Sequence, residues 1–137
     1  MLARIAVIIS LALSVNIVAR AQACTTTNLV FQSDTVGGQV TLMTNRGIRP
    51  ATNAQIDLLE LRDGDWQSTS KIYAIDHGYF TWLNLAPGKY VLVATFEGYR
   101  EARVNIEVKR RNGREARVTI PMKSNGCARA FLRPESR

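Results

Sequence analysis

Residues 100–122 read Arg-Glu-Ala-Arg-Val-Asn-Ile-Glu-Val-Lys-Arg-Arg-Asn-Gly-Arg-Glu-Ala-Arg-Val-Thr-Ile-Pro-Met, and this stretch decides the fold class. Ala102, Val104, Ile106 and Val108 alternate with Glu101, Arg103, Asn105 and Glu107. Ala116, Val118, Ile120 and Met122 alternate in the same way with Glu115, Arg117, Thr119 and Pro121. Successive strand side chains point to opposite faces, so a period of two marks strands with one apolar and one wet face. Asn112-Gly113 lies between the runs and is a strong hairpin signal, which predicts an antiparallel pair. Pro121, facing outward near the end of its run, suits an edge strand or a strand terminus.

Working upstream, Lys89 to Phe96 is apolar on both faces, as expected of a central sandwich strand, and Tyr79 to Leu83 places Phe80 and Trp82 on one face. Ser68 to Ile75 is a weaker strand, and Gln39 to Met43 opens the series with Val40 and Leu42. Ala54 to Leu61 changes phase between Leu58 and Leu59, which predicts a bulge or a strand covered on both sides. Turns fall at Asp63-Gly64-Asp65, Asp76-His77-Gly78 and Pro87-Gly88. Seven short strands without crossover helices predict an all-β, single-domain Greek-key β-sandwich, and exclude a parallel α/β sheet.

The 137 residues carry 18 Lys+Arg, 11 Asp+Glu and a single histidine. One domain fits that length, and a multi-histidine metal centre is excluded within one chain. Residues 1–23 read as a signal peptide: Arg4, then an apolar run from Ile5, then Ala21-Gln22-Ala23 before the cut. Removing them takes away Arg4 and Arg20 and no acid, so the formal charge falls from +7 to +5. Eleven of the remaining bases lie within residues 97–137. The expected location is secreted or periplasmic, with no membrane span after cleavage. A lipoprotein acylated on Cys24 ranks below a soluble product, because Ala21 stands where lipoprotein signals usually have Leu. Export implies an oxidising compartment, and Cys24 and Cys127 offer one intramolecular pairing. Residues 24–37 are an N-terminal segment suited to an edge strand through Leu29 and Phe31, residues 38–123 the sandwich, and residues 124–137 a basic C-terminal tail.

From about Gly38 to Val108 the order of strands and turns resembles the carboxypeptidase regulatory-like domain, a transthyretin-like (prealbumin-like) β-sandwich also grouped with carbohydrate-binding-like folds. The carriers are Gly38-Gln39-Val40, Pro50 with Ala54-Gln55-Ile56, Gly78-Tyr79-Phe80, Leu85-Ala86-Pro87-Gly88-Lys89-Tyr90 and Glu97-Gly98-Tyr99. Ala74-Ile75 replace the Thr-Asp pair common in the family, and Thr44-Asn45 stand where an Asp is usual. The resemblance implies a non-catalytic binding or scaffolding module and no cofactor. One transthyretin-like subfamily hydrolyses a purine-degradation intermediate with several histidines, but this chain has one and ends Arg133-Pro134-Glu135-Ser136-Arg137. That activity is therefore not expected.

His77 beside Asp76 reads as a solvated turn residue rather than half of an acid–base pair. Asp63-Gly64-Asp65 lacks the ligand series of a calcium loop, and no metal site is expected. Trp66, Tyr73 and Tyr79 are the candidate surface rings for stacking on a glycan. Arg110, Arg111, Arg114 and Arg117 form a basic patch around the last turn, with Glu101, Glu107 and Glu115 placed to pair with them. Export argues against nucleic acid, so the expected partner class is a glycan or an acidic extracytoplasmic protein.

Overall fold

A computed structural model describes residues 24–109 and 115–134. The signal peptide expected at residues 1–23 lies outside the described residues. The described residues form ten strands and one 3-10 turn: β1 (Cys24–Phe31), β2 (Val36–Thr44), β3 (Gly47–Pro50), β4 (Gln55–Arg62), β5 (Asp65–Tyr73), β6 (Tyr79–Trp82), β7 (Gly88–Thr95), β8 (Ala102–Val108), β9 (Ala116–Met122) and β10 (Phe131–Pro134). They make two sheets. Sheet A runs β1-β8-β7-β4-β5; sheet B runs β10-β9-β2-β3, with β6 also pairing β2. The all-β sandwich expected from the alternation is present.

The seven expected strands are β2 and β4–β9 without β3, and the remaining three are β1, β3 and β10. Two of these extra strands have only four residues, too few to register as alternation. The N-terminal segment does form an edge strand: β1 pairs parallel with β8, and Phe31 is fully buried. The C-terminal tail is not wholly irregular, because β10 pairs antiparallel with β9.

The expected β8–β9 hairpin is overturned. β8 belongs to sheet A, between β1 and β7, and β9 to sheet B, between β2 and β10. The connection between them passes from one sheet to the other, and Asn112-Gly113 falls outside the described residues. Alternation specifies that each strand has one apolar face; it does not say whether the neighbouring run lies beside that strand or across the core from it. Here Val104 and Ile106 meet the interior from one sheet, Val118 and Ile120 from the other, and all four are fully buried. With β10 and β2 on its two sides, β9 is no edge strand. Pro121 lies beyond Thr119, the last β9 residue that β10 covers, so its missing N–H leaves no gap in that short ladder.

The phase change in β4 resolves on its partner. Leu58 pairs with Ser70 and Leu59 with Ser68, leaving Thr69 as the extra residue of a bulge in β5. β4 itself alternates without interruption against β7. Ile56 and Leu58 therefore enter the core, while Leu59 and Leu61 stand on the outer face of sheet A. Asp63 and Gly64 join β4 to β5 with positive φ at both residues (50° and 83°), the geometry of a two-residue primed turn.

The core also holds Val36, Val40, Phe80, Trp82, Tyr90, Leu92 and Met122. Its polar atoms are paired: Trp82 Nε1 donates to Ser70 Oγ at 3.1 Å, and the Tyr90 hydroxyl donates to the Ala86 carbonyl at 2.6 Å. Burial first, then the nearby Glu60 carboxylate, hold the Tyr90 phenol above its ordinary pKa of 10.0, and Arg62 partly offsets this. Cys24 and Cys127 form a disulfide across 103 positions of sequence, with Cα atoms 5.5 Å apart. The same region carries a second tie, a bond of 3.1 Å from the Ala130 N–H to the buried Thr26 Oγ1.

Candidate functional site

The central pair of sheet B is parallel: β2 residues 37–42 align with β9 residues 117–122. Val40 and Leu42 of β2, with Val118 and Ile120 of β9, are buried. Their alternates, Gln39 and Thr41 with Arg117, Thr119 and Pro121, therefore line the outer face. β6 and β3 extend this face past β2, adding Tyr79 from one and Ile48 and Pro50 from the other. β10 extends it on the opposite side with Phe131 and Arg133.

Two adjoining hollows occupy the outer face. One, of about 350 Å³, is lined by Gln39, Tyr79, Arg117, Thr119 and Arg133, with neighbouring backbone. The other, of about 440 Å³, shares Gln39, Thr119 and Arg133 and continues over Met43, Ile48, Pro50, Pro121 and Phe131. Arg49 adds a further positive charge there. Among the described lining residues none is acidic.

Arg133 pairs directly with Arg117 across the β10–β9 ladder. Residues so placed have Cβ atoms about 5 Å apart. Each guanidinium lies against a ring: Arg117 is 5.7 Å from the Tyr79 centroid and Arg133 is 5.1 Å from that of Phe131. Cation–π contact restrains both long side chains. The other face of the arrangement is fixed by Gly78. It has φ +76°, and an added Cβ would sit 2.3 Å from the Val40 carbonyl oxygen. That close approach seats the turn before β6, where Gln39 Nε2 donates to the His77 carbonyl at 2.7 Å. His77 is exposed, with its ring 6.3 Å from that of Tyr79.

Of the residues singled out from sequence, Tyr79 and Arg117 come together here. Trp66 and Tyr73 do not join them. Trp66 pairs with Leu61 and Tyr73 with Gln55, at the two ends of β5 in sheet A, so the three expected rings share no platform. Arg110, Arg111 and Arg114 lie outside the described residues. Glu101 pairs with Arg103 of its own segment at 3.5 Å, and Glu107 accepts from Asn28 at 3.4 Å. Arg133, Phe131, Gln39 and Thr119 were missed in the sequence reading. The available signal was Phe131-Leu132-Arg133-Pro134, a brief alternation within residues treated as a tail.

No family model and no curated protein matches the chain. Among solved structures, the chain is similar to a crystal structure of (S)-allantoin synthase, at 12% identity and a TM-score of 0.47. The likeness covers 77% of this chain and 46% of that one, so the chain spans less than half of that protein's length.

Proposed function

We propose that this protein is an exported, non-catalytic β-sandwich module that binds negatively charged ligands or partners on the outer face of sheet B. The cross-strand pair Arg117–Arg133, each arginine held against an aromatic ring, carries this reading. Arg133 presents a planar fork of N–H donors matched to a carboxylate, sulfate or phosphate group beside the positive charge of Arg117, and Gln39, Thr119 and the Tyr79 hydroxyl add neutral polar groups there. Export to an oxidising compartment is supported by the disulfide and by the N-terminal sequence pattern. Among the described residues no helix is long and apolar enough to cross a membrane. The proposed fold type is the Greek-key, transthyretin-like sandwich of carboxypeptidase regulatory-like domains, supported by the sequence carriers from Gly38 to Tyr99.

Binding to immobilised poly-L-glutamate, polygalacturonate and neutral dextran tests the reading. Either acidic polymer is expected to bind, with affinity falling as salt rises, while dextran does not bind. Charge-assisted hydrogen bonds contribute about 1.5–3 kcal/mol each, so Arg117→Ser with Arg133→Ser should weaken binding by at least about tenfold. Equal binding by the double variant would sink the proposal. Dextran binding that disappears in Tyr79→Ala would favour the alternative, a carbohydrate-binding protein that uses its surface aromatics.

A further inference from the structure

The second hollow carries a positive charge at each end. Arg133 comes from β10 and Arg49 from β3, the two outermost strands of the path β10-β9-β2-β3. The ladders fix how far apart they are. Arg133 is level with Arg117 and through it with Gly37, whereas Arg49 is level with Leu42. From Gly37 to Leu42 is five residues, about 17 Å along the sheet, and β10 to β3 is three strand spacings, about 14 Å across it. The two Cα atoms therefore stand about 22 Å apart on a diagonal, which the long side chains shorten from both ends. Between them the lining is mostly apolar: Met43, Ile48, Pro50, Pro121 and Phe131, of which Ile48 is 69% and Phe131 41% exposed. The central strands of this face already pair on both sides, so they offer an incoming chain no ladder. An acidic peptide would set its backbone amides, and a polysaccharide its hydroxyls, against proline, isoleucine and phenylalanine at the cost of lost hydration. A linear molecule with an anionic group at each end and hydrocarbon between avoids that cost and meets both arginines.

We infer that the second hollow binds a small linear dianion, one acidic group on Arg133, the other on Arg49, and an apolar spacer across Ile48, Pro50, Pro121 and Phe131. The acidic groups are carboxylate, sulfate or phosphate. The inference rests on the anion-binding reading of the same face. Arg133 offers a planar fork of donors, and its guanidinium is steadied against the Phe131 ring. Arg117 contributes only its charge beside that end. β3 is the edge of its sheet, so no further described strand flanks Arg49 on that side of the hollow. Once one end of the ligand is held, the other binds as an intramolecular event, and the second arginine raises affinity without a second cost of association.

Calorimetric titration of the oxidised protein with three acids, all kept monomeric, is the test: sebacate, decanoate with the same chain but one carboxylate, and succinate with the same charge but a short spacer. Sebacate is expected to bind at least about tenfold tighter than either of the others, the worth of one further charge-assisted contact. Arg49→Ser should bring sebacate down to the affinity of decanoate and leave decanoate unchanged. Arg133→Ser should weaken both. Each arginine is exposed on a four-residue outer strand, so neither substitution empties the core. Sebacate binding no tighter than decanoate, or no tighter than succinate, overturns the inference; the anion-binding reading stands if Arg133→Ser still weakens the acids. Sebacate binding untouched by Arg49→Ser places the ligand elsewhere and overturns the inference. Poly-L-glutamate binding without any response to sebacate also overturns it, by assigning the face to a polyanion, and leaves the broader reading standing. Failure of the acidic polymers and of all three small acids overturns both.

Discussion

Replacing Cys24 and Cys127 together by serine should destabilise the protein mainly through its unfolded state. The disulfide closes a loop spanning 103 positions. For a loop of about 100 residues the chain-entropy treatment gives about 4.7 kcal/mol at 25 °C, an upper figure for most proteins. Against a typical total of about 5–15 kcal/mol, such a loss is severe. The native ends have other ties: the Cys24 N–H donates to Glu101 at 2.9 Å, Arg100 to Lys123 at 2.9 Å, and Ala130 to Thr26 at 3.1 Å. The folded double variant therefore keeps its ends together, and the change lies in the freedom that the unfolded chain regains. Urea unfolding reads this out. Trp82 is buried and reports on the core, while Trp66 is 46% exposed and is best replaced by phenylalanine in both proteins. With a urea slope of about 1–3 kcal/mol per molar, the midpoint should fall by roughly 2 M. A fall below about 0.5 M at unchanged slope would refute the loop argument. Two free thiols in the mass of the secreted wild-type protein would refute its premise.

Further outcomes follow from single positions. Gly78→Ala combines a positive φ with a carbonyl 2.3 Å from the new Cβ, so it should cost about 3 kcal/mol or more, measured as a loss in urea midpoint. Gly64→Ala has φ +83° but open space around it and should cost only about 1–2 kcal/mol. The Tyr90 phenol is held neutral in the fold, so its contribution is complete below pH 10 and is lost as pH rises through its raised folded pKa. Ultraviolet titration of the folded protein should show a phenol ionising above the ordinary value, absent in Tyr90→Phe, and that variant should also lose about 1 kcal/mol with the bond to Ala86. Trp66→Ala should leave anion affinity unchanged, since Trp66 belongs to sheet A, whereas Tyr79→Ala should weaken it about threefold through the lost cation–π support of Arg117.

The fold class was legible because alternation is a property of each strand alone. Val104 and Ile106, or Val118 and Ile120, declare their buried face without reference to any partner. Pairing is different. β9 lies next to β2, some 80 residues earlier in sequence, and nothing in either strand selects that neighbour. The Asn112-Gly113 signal favoured a local hairpin, but the burial of both apolar faces is achieved equally well with the two strands across the core from each other. The Leu58/Leu59 phase change was legible as a disturbance, and its place on β5 was not, because a bulge is defined by two strands together. The candidate site was half legible. Tyr79 and Arg117 carry recognisable chemistry in recognisable strands, whereas Gln39 and Thr119 are ordinary polar alternates until pairing brings them together.

β10 shows why a short terminal strand matters more than its four residues suggest. Its inward side chain, Leu132, is only partly buried against the core, so hydrophobic gain alone gives it a modest hold. What fixes it is its surroundings: the ladder to β9, the bond from Ala130 to Thr26 and the nearby disulfide. Both Arg133 and Phe131 come from this strand, so the two hollows lose one side if β10 departs. The two outward alternates of β10 are an arginine and an aromatic ring, set directly opposite Arg117 and Thr119. A strand serving only to cap the edge of sheet B would gain from a carboxylate opposite Arg117, since opposite charges stabilise a cross-strand pair and like charges do the reverse. Placing Arg133 there instead gathers positive charge beside Arg117 on the outer face of sheet B, where Arg49 adds more.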